Sequence, residues 1–254
     1  MAPEYTLSGR RAVVTGGARG LGRAIASRLE AAGAEITVID HGVSFAKAQI
    51  PANWHVDDVD LSRPDCQDRM RGIASDLGSV DIVVANAGVV PPWRGMDALD
   101  AEEWQKVMAI NVWGVAATLG AFAGALAKTG RGSAVVMASL NGYKAHPKQV
   151  LYTASKHAAI GVMRAAAQDM GPAGTRVNAL APGPIMTDAL LDRIGKRHAA
   201  GGPAPEDALA ALAKETALGK LATIDQVASA AFFLASDASA GLTGLVVPVD
   251  GGLG

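Results

Sequence analysis

The sequence predicts an α/β fold, a doubly wound parallel sheet of seven strands with helices on both faces. Three observations support this prediction. Seven apolar runs alternate with helix-like segments along almost the whole chain. These runs are nearly continuous in apolar residues, which is typical of strands covered on both faces. The alternation of strands with helices requires crossover connections, and such connections join parallel strands.

The predicted elements follow one another in a regular order. The apolar runs predict strands over Ala12–Thr15, Glu35–Asp40, Trp54–Val59, Asp81–Asn86, Ala134–Ser139, Arg176–Ala181 and Leu245–Val249. The segments between them predict helices over Leu21–Ala32, Arg63–Leu77, Ala101–Thr129, Leu151–Met170 and Ile224–Ala235. Ser62 and Asp65, with Pro64 between them, predict a capping box at the start of the second helix. The stretch Arg197–Pro205 is rich in Ala, Gly and Pro and predicts a loop insertion.

Length and composition restrict the class of protein. The 254 residues allow one large domain or two small ones. With 23 basic and 24 acidic residues the net charge is −1, so we expect no nucleic-acid partner. The one cysteine, Cys66, cannot form an internal disulfide, and we expect a reducing compartment, the cytoplasm. The five histidines lack metal-ligand spacing, and we expect no metal site.

One uncharged run, Val107–Ala127, is long enough to span a membrane. Asn111, Thr118 and several glycines interrupt it, and much of the rest is alanine. We therefore expect no membrane association. The run instead predicts a helix that is buried against the sheet on one side and against a partner subunit on the other.

A glycine-rich turn, Thr15–Gly22, follows the first predicted strand. Glycines there let the backbone approach a pyrophosphate at a helix N-terminus, although tight packing alone would also select them. Asp40 ends the second strand, where a dinucleotide-binding fold places an acid against the adenosine ribose. A carboxylate there repels a 2′-phosphate, which predicts NAD rather than NADP. Arg19 is an opposing signal, because it could pair with such a phosphate.

Further motifs occur in a family-specific order. They are Thr15-Gly16-x-x-x-Gly20-x-Gly22, Asp60-Leu61, Asn86-Ala87-Gly88, Asn111, Ser139, Tyr152-x-x-x-Lys156, Pro182-Gly183 and Val249-Asp250-Gly251-Gly252. On these motifs the chain resembles the short-chain dehydrogenase/reductase family, in its single-domain form of about 250 residues. Two departures are visible. Ala85 stands where many relatives have a second Asn, and the segment after Asp40 is short.

The resemblance implies a Rossmann-like sheet in the order 3-2-1-4-5-6-7, one domain over residues 1–254 and a homotetramer. It also implies an NAD site. The expected cofactor-binding residues are Gly16, Arg19, Gly20, Leu21, Gly22, Asp40, Asp60, Leu61, Asn86, Ala87, Gly88, Tyr152, Lys156, Pro182, Gly183, Ile185 and Thr187. The small-residue surface of Val112–Ala127 fits close helix packing between subunits.

Tyr152 and Lys156 lie one helical turn apart and therefore share a face. An ammonium beside the phenol, together with a positive nicotinamide ring, would lower the tyrosine pKa toward neutrality. The resemblance then implies that Tyr152 is the general acid and base in hydride transfer between a secondary alcohol and a ketone. By the same resemblance Ser139 binds the substrate oxygen and Asn111 carries a water that links Lys156 to solvent.

The substrate is less defined. Loops after the fourth, fifth and sixth strands predict contacts from Val90, Asn141, His146, Gln149 and Met186. The segment 184–214 resembles the family's mobile lid, and we expect a mid-sized, partly apolar alcohol or ketone beneath it. Cis-dihydrodiol and sugar or polyol dehydrogenases share every motif above and stay open as alternatives. A non-catalytic NAD-binding regulator is a third alternative, which the intact catalytic set disfavours.

Overall fold

The fold is seen in a computed structural model that describes residues 6–199 and 201–253. Within these residues, seven parallel strands form one sheet in the order 3-2-1-4-5-6-7. The strands are β1 Arg11–Thr15, β2 Glu35–Asp40, β3 His55–Asp58, β4 Ile82–Ala85, β5 Ser133–Met137, β6 Arg176–Pro182 and β7 Val246–Val249. The strand order and the parallel sheet confirm the predicted fold class.

Helices cover both faces of this sheet. The helices of the described residues are α1 Gly20–Ala31, α2 Gly42–Phe45, α3 Cys66–Leu77, α4 Ala101–Met108, α5 Gly114–Ala127, α6 Val150–Met170, α7 Asp188–Ala199, α8 Pro205–Lys214 and α9 Ile224–Ala235. Helices α3, α5 and α6 share one core with the sheet, and α1 and α9 share the other. Neighbouring residues of β1, Val13 and Val14, enter opposite cores. This explains why the central strands β1, β4 and β5 are apolar at almost every position, whereas the edge strand β3 is polar and largely exposed.

The predicted capping box at Ser62 is wrong. Helix α3 begins at Cys66, and its N-cap residue Asp65 makes no side-chain capping bond to the described residues. Ser62 instead donates from its hydroxyl and its backbone N–H to Asp60 Oδ1, at 2.7 and 2.9 Å. Asp60 thus accepts the Ser62 backbone N–H that the predicted capping box assigns to Asp65. A capping box does form at the start of α9, where Thr223 and Gln226 bond each other's backbone N–H groups.

The predicted helix Ala101–Thr129 is interrupted. One π-helical turn, Ala109–Trp113, separates α4 from α5. Taken together, Ala101–Ala127 is long and apolar enough to cross a membrane by length and composition, but half of its apolar window is buried within the chain. Its Phe122 and Leu126 lie in the core shared with α3. Packing inside the molecule therefore accounts for the buried half of this apolar run.

The loop insertion predicted over Arg197–Pro205 is shorter than expected. Helix α7 continues to Ala199, and α8 begins at Pro205. Most of the predicted lid is thus helical. The sequence does not predict α7, because charged residues, including Lys196 and Arg197, dominate its last turn. Leu190 and Ile194 nevertheless provide a buried face, and this face docks the helix.

Candidate active site

The carboxyl ends of the parallel strands meet at one edge of the sheet, and the predicted site residues follow them. At the end of β1, Gly16 adopts a φ of +64°, a conformation that favours glycine. A Cβ atom on Gly16 would lie 2.8 Å from Ala87 Cα, and one on Gly22 would lie 2.2 Å from Gly16 O. The backbones at Gly16, Gly22 and Ala87 are therefore in direct contact, and no larger residue fits at Gly16 or Gly22.

The start of α1 leaves room for an anion. Its N-cap residue, Arg19, makes no side-chain capping bond within the described part of the chain, and the first turn holds no acidic residue. The first N–H groups of a helix carry partial positive charge. Arg19 itself is exposed to solvent. Together with the close backbone approach at Gly16 and Gly22, this geometry fits a pyrophosphate group.

Thr15 and Asn86 lock the turn to the end of β4. Asn86 Nδ2 donates to the carbonyls of Thr15 and Gly16, at 3.0 and 3.1 Å. Thr15 Oγ1 accepts from the backbone N–H groups of Asn86 and Ala87, at 3.1 and 3.2 Å. Thr15 is a positioning residue that the sequence showed only as the first residue of its motif.

Asp40 lies beside the glycine-rich turn. Its Oδ2 accepts from Ala18 N at 3.1 Å, and its Oδ1 accepts from His41 N at 2.9 Å. The half-buried carboxylate retains lone pairs that can accept further hydrogen bonds. This placement fits a ribose diol and opposes a phosphate group.

The Asp60-Leu61 motif is divided between the surface and the core. Hydrogen bonds from Ser62 hold the pKa of Asp60 below its usual range. The side chain of Leu61 is buried in the core near Gly114, so the backbone is the part of this residue that could face a ligand. Their predicted contacts with a cofactor stay predictions.

Tyr152, Lys156 and Ser139 come together between β5 and α6. Lys156 is 4% exposed, and its Nζ donates to Met137 O at 2.8 Å. Burial lowers the pKa of Lys156 to about 8. The Lys156 Nζ atom lies 5.8 Å from the centre of the Tyr152 ring. Both side chains thus lie on one face of α6, as their spacing predicts.

The electrostatics of Tyr152 differ from the prediction. Burial raises the pKa of Tyr152, while a hydrogen bond with Ser139 and the positive charge of Arg193 lower it. Burial prevails, so the chain alone does not produce the lowered pKa that the sequence suggested. Arg193 lies on α7, 41 residues after Tyr152 in the chain, and no sequence pattern predicts its effect on Tyr152.

Asn111 lies at the centre of the π-helical turn and is 0% exposed. Its Nδ2 donates to Val89 O at 2.9 Å and to Ser155 Oγ at 3.1 Å, and its Oδ1 accepts from Val89 N at 2.8 Å. The side chain thereby ties α6 to the loop after β4. A Cβ on Gly88 would lie 3.3 Å from Asn111 Oδ1 and 3.6 Å from Lys156 Nζ. The predicted water-carrying role of Asn111 stays a prediction.

The predicted substrate contacts fall into two groups. Asn141 is buried, and its Nδ2 donates to Gln149 Oε1 at 2.9 Å and to Thr153 Oγ1 at 3.1 Å. This hydrogen bond holds the segment between β5 and α6, residues 138–149 (the Ser139 loop), against the start of α6. The remaining three are Val90, His146 and Met186, and their predicted substrate contacts stay predictions. Val90 and Met186 are exposed and His146 is half-buried.

Trp93, Gln149 and Tyr152 are among the residues that line a small recess beside α6. Arg197 of α7 stacks on Trp93, with its Cζ atom 5.1 Å from the ring centre. The entry to α7 is firmly held, since Ile185 pairs with Ala222 and the N–H of Leu190 bonds Thr187 O. Helix α7 therefore contacts one of the residues that line this recess.

The C-terminal motif supports the same region. Gly183 packs against Asp250 and donates its N–H to Val249 O at 3.1 Å. Tyr143 Oη donates to Asp250 Oδ2 at 3.0 Å, and burial followed by this bond raises the pKa of Tyr143 to about 12. These contacts join the Ser139 loop, the end of β6 and the last strand into one unit.

Comparison with known proteins agrees with this geometry. A family model described as enoyl-(acyl carrier protein) reductase matches residues 16–254. The chain belongs to the short-chain dehydrogenase/reductase family. Among the relatives of this dehydrogenase/reductase is cis-4-hydroxycyclohexanecarboxylate dehydrogenase of Sinomonas cyclohexanicum, 34% identical over 96% of each chain. Another is D-threitol dehydrogenase of Mycolicibacterium smegmatis, 33% identical over 98% of this chain and 94% of the relative.

A solved structure extends the comparison. Carveol dehydrogenase from Mycobacterium avium, crystallised in complex with NAD, superposes with a TM-score of 0.85 at 30% sequence identity. The match covers 98% of this chain and 99% of that protein. The present dehydrogenase/reductase is thus an oxidoreductase whose fold matches this neighbour over nearly its full length.

Proposed function

We propose that this enzyme transfers a hydride between NAD(H) and a secondary alcohol or ketone, with Tyr152 as the general acid and base. The observation that carries the proposal is the grouping of Ser139, Tyr152 and a buried Lys156 at the carboxyl edge of the sheet. A tyrosine hydroxyl in contact with a serine hydroxyl offers two groups to one substrate oxygen.

The residues at this edge fit NAD. The backbone cradle at Gly16 and Gly22 and the open N-terminus of α1 suit a pyrophosphate, and Asp40 suits an unphosphorylated ribose. The NAD complex of carveol dehydrogenase supports the choice of cofactor. The remaining residues of the predicted set would complete the site from Asp60 to Thr187.

Each catalytic side chain has a distinct task. Ser139 Oγ donates a hydrogen bond to the substrate oxygen. Tyr152 Oη takes the hydroxyl proton during oxidation and returns it during reduction. Lys156 Nζ can donate two N–H groups in addition to the one that Met137 O accepts, and these would hold the nicotinamide ribose. When bound, the nicotinamide ring accepts or supplies the hydride at the carbinol carbon.

We further propose that residues 1–254 form one catalytic domain and that the segment 184–214 acts as its lid. Substrate selection then depends on loops and on α7. A dihydrodiol, sugar or polyol substrate is the alternative, and the relative named for D-threitol supports it. A panel of simple secondary alcohols, dihydrodiols and polyols separates these possibilities by kcat/KM.

We also propose that the enzyme is a homotetramer built on the outer face of α5. Trp113, just before α5, is exposed, and so are Gly120 and Gly124 within it. Small residues permit close helix packing across such a face. Light scattering that shows a monomer at micromolar concentration would contradict this assembly.

The decisive variant for the proposed mechanism is Tyr152→Phe. Loss of the proton-transferring hydroxyl should lower kcat by about 10²–10⁴-fold with NADH binding nearly unchanged. Tyr143→Phe is the matched control, because it removes the Asp250 hydrogen bond outside the reacting group. Tyr143→Phe should retain most of its activity. Comparable turnover in Tyr152→Phe and the wild type would refute the role of Tyr152.

A further inference from the structure

Ser155 lies on α6 between Tyr152 and Lys156, and its side chain is completely buried. Its Oγ donates to the backbone carbonyl of Tyr152 at 2.8 Å and accepts from Asn111 Nδ2 at 3.1 Å. Serines within helices commonly bond a carbonyl of the preceding turn. The second bond of Ser155 is different, because it comes from a residue 44 positions away in the chain.

Asn111 extends this connection to the loop after β4. Its Nδ2 also donates to Val89 O at 2.9 Å, and its Oδ1 accepts from Val89 N at 2.8 Å. Both hydrogens of the Asn111 amide are thus used, one on Val89 and one on Ser155. Val89, Asn111, Ser155 and Tyr152 O therefore form one continuous series of hydrogen bonds, which we call the Ser155 network.

The Ser155 network begins directly beside a segment that is expected to bind the cofactor. Val89 follows Gly88, one of the predicted cofactor-binding residues. A Cβ on Gly88 would lie 3.3 Å from Asn111 Oδ1 and 3.6 Å from Lys156 Nζ. The segment after β4, the π-helical turn and α6 are therefore packed closely together. A shift of the first turns of α6 would move Tyr152 relative to this segment.

We propose that Ser155 is a positioning residue, whose hydroxyl holds Tyr152 in the place that the reaction requires relative to the bound cofactor. This inference rests on the proposed function. Reacting groups must approach to about 3–3.5 Å, and a displacement of about 1 Å can lower the rate by about 100-fold. Ser155 acts through the backbone of Tyr152, whereas the Tyr152 hydroxyl exchanges the proton.

The test is Ser155→Ala, which removes both bonds of the hydroxyl and leaves one Asn111 amide hydrogen without its partner. Rates are measured with NAD and the secondary alcohol, dihydrodiol or polyol of highest kcat/KM. We expect kcat per folded molecule to fall by about 10–100-fold. The KM for NAD and the affinity for NADH should stay nearly unchanged, since the loss falls on the reaction step. Urea denaturation gives the folded fraction.

Ser133→Ala is the matched control. Ser133 is also completely buried, and its Oγ donates to one backbone carbonyl, Leu234 O, at 2.8 Å. It lies at the start of β5, at the opposite end of this strand from Ser139. Ser133→Ala should lower the free energy of unfolding and leave kcat per folded molecule unchanged.

Ser155→Cys provides the test if Ser155→Ala does not fold. A thiol fills nearly the same space as the hydroxyl but makes only weak hydrogen bonds. The kcat of Ser155→Cys should therefore lie below that of the wild type and above that of any folded Ser155→Ala.

A double-variant cycle tests the Ser155 network itself. Because Asn111 and Ser155 belong to one network, Asn111→Ala combined with Ser155→Ala should lower kcat about as much as the more damaging single variant. Losses that multiply would show that the two residues act independently, and this result would overturn the inference.

Tyr152→Phe separates this inference from the proposed function. Loss of turnover in Tyr152→Phe, together with a wild-type kcat in folded Ser155→Ala or Ser155→Cys, supports the function and overturns the positioning role. If Tyr152→Phe keeps wild-type turnover, the proposed function fails. A lower kcat in Ser155→Ala then has a source other than Tyr152, and the positioning role is overturned as well.

Discussion

The glycine-rich turn and helix α7 differ most in how tightly their backbones are packed. At the turn, Cβ atoms on Gly16 and Gly22 would lie within 2.8 Å of neighbouring backbone. In α7, a Cβ on Gly195 would meet no described atom within 4 Å. The cofactor end of the molecule therefore tolerates one backbone shape and few residues, whereas α7, at the substrate end, has room for a side chain at Gly195. A tightly packed cofactor site combined with a less tightly packed substrate segment allows one reaction to be applied to many substrates.

The strongest test of this contrast is Gly22→Ala. The added methyl would overlap Gly16 O, so the turn must shift and its contact with Asn86 must open. We expect about 3 kcal/mol less stability, in the range known for overpacked cores, and a marked loss of NAD affinity. Urea denaturation and NADH fluorescence titration measure the two effects. Unchanged values in both would show that the turn is looser than its geometry indicates.

Asp40→Ser tests the charge at the same end. Removal of the carboxylate takes away the repulsion of a 2′-phosphate, while the hydroxyl retains an acceptor for Ala18 N. The ratio of kcat/KM for NADP to that for NAD should rise by about 10–100-fold, since a charged hydrogen bond contributes about 1.5–3 kcal/mol. Initial rates at 340 nm give the ratio. A wild-type preference for NADP would contradict the assignment of Asp40.

Lys156→Met tests whether burial of Lys156 makes the free energy of unfolding depend on pH. Between a folded pKa of about 8 and an unfolded value near 10.4, the unfolded chain binds the Lys156 proton and the folded chain does not. The free energy of unfolding of the wild type should therefore rise with pH in this window. Relative to Lys156→Met it should rise by about 2 kcal/mol between pH 7.5 and 9.5. Parallel pH dependence of the two proteins in urea denaturation would show that Lys156 is not desolvated.

The smallest expected effect is in helix α7, at the substrate end of the molecule. Gly195→Ala should stabilise the enzyme by about 0.5–1 kcal/mol, because alanine has the higher helix propensity and the site has room for its methyl group. Thermal unfolding measures the gain. Destabilisation instead would show that α7 packs against a surface that its present contacts do not include.

The sequence anticipates the cofactor end better than the substrate end, for physical reasons. Strand positions follow from long apolar runs, and the glycines and Asp40 sit at strand ends whose neighbours the topology dictates. The prediction for Ser62 is wrong because two carboxylates, Asp60 and Asp65, lie two and three residues from it in the chain. The local sequence does not show which of them accepts the Ser62 backbone N–H. Asn111 was identified, but the π-helical turn around it has no sequence signature.

Long-range contacts account for what the sequence missed at the substrate end. The charge of Arg193 reaches Tyr152 across a large separation in the chain, and Arg197 stacks on Trp93 across a larger one. Such pairs depend on how α7 docks, and its docking depends on a few buried residues among many charged ones. Helix packing of this kind becomes visible only in three dimensions.

The most direct test of the account is a cofactor and substrate screen of the wild-type enzyme at 340 nm, with NAD and NADP against secondary alcohols, hydroxy acids, dihydrodiols and polyols. The account predicts NADH formation with at least one secondary alcohol, and a higher kcat/KM for NAD than for NADP. Tight NADH binding without turnover of any of these alcohols would contradict it and would instead support a non-catalytic NAD-binding protein.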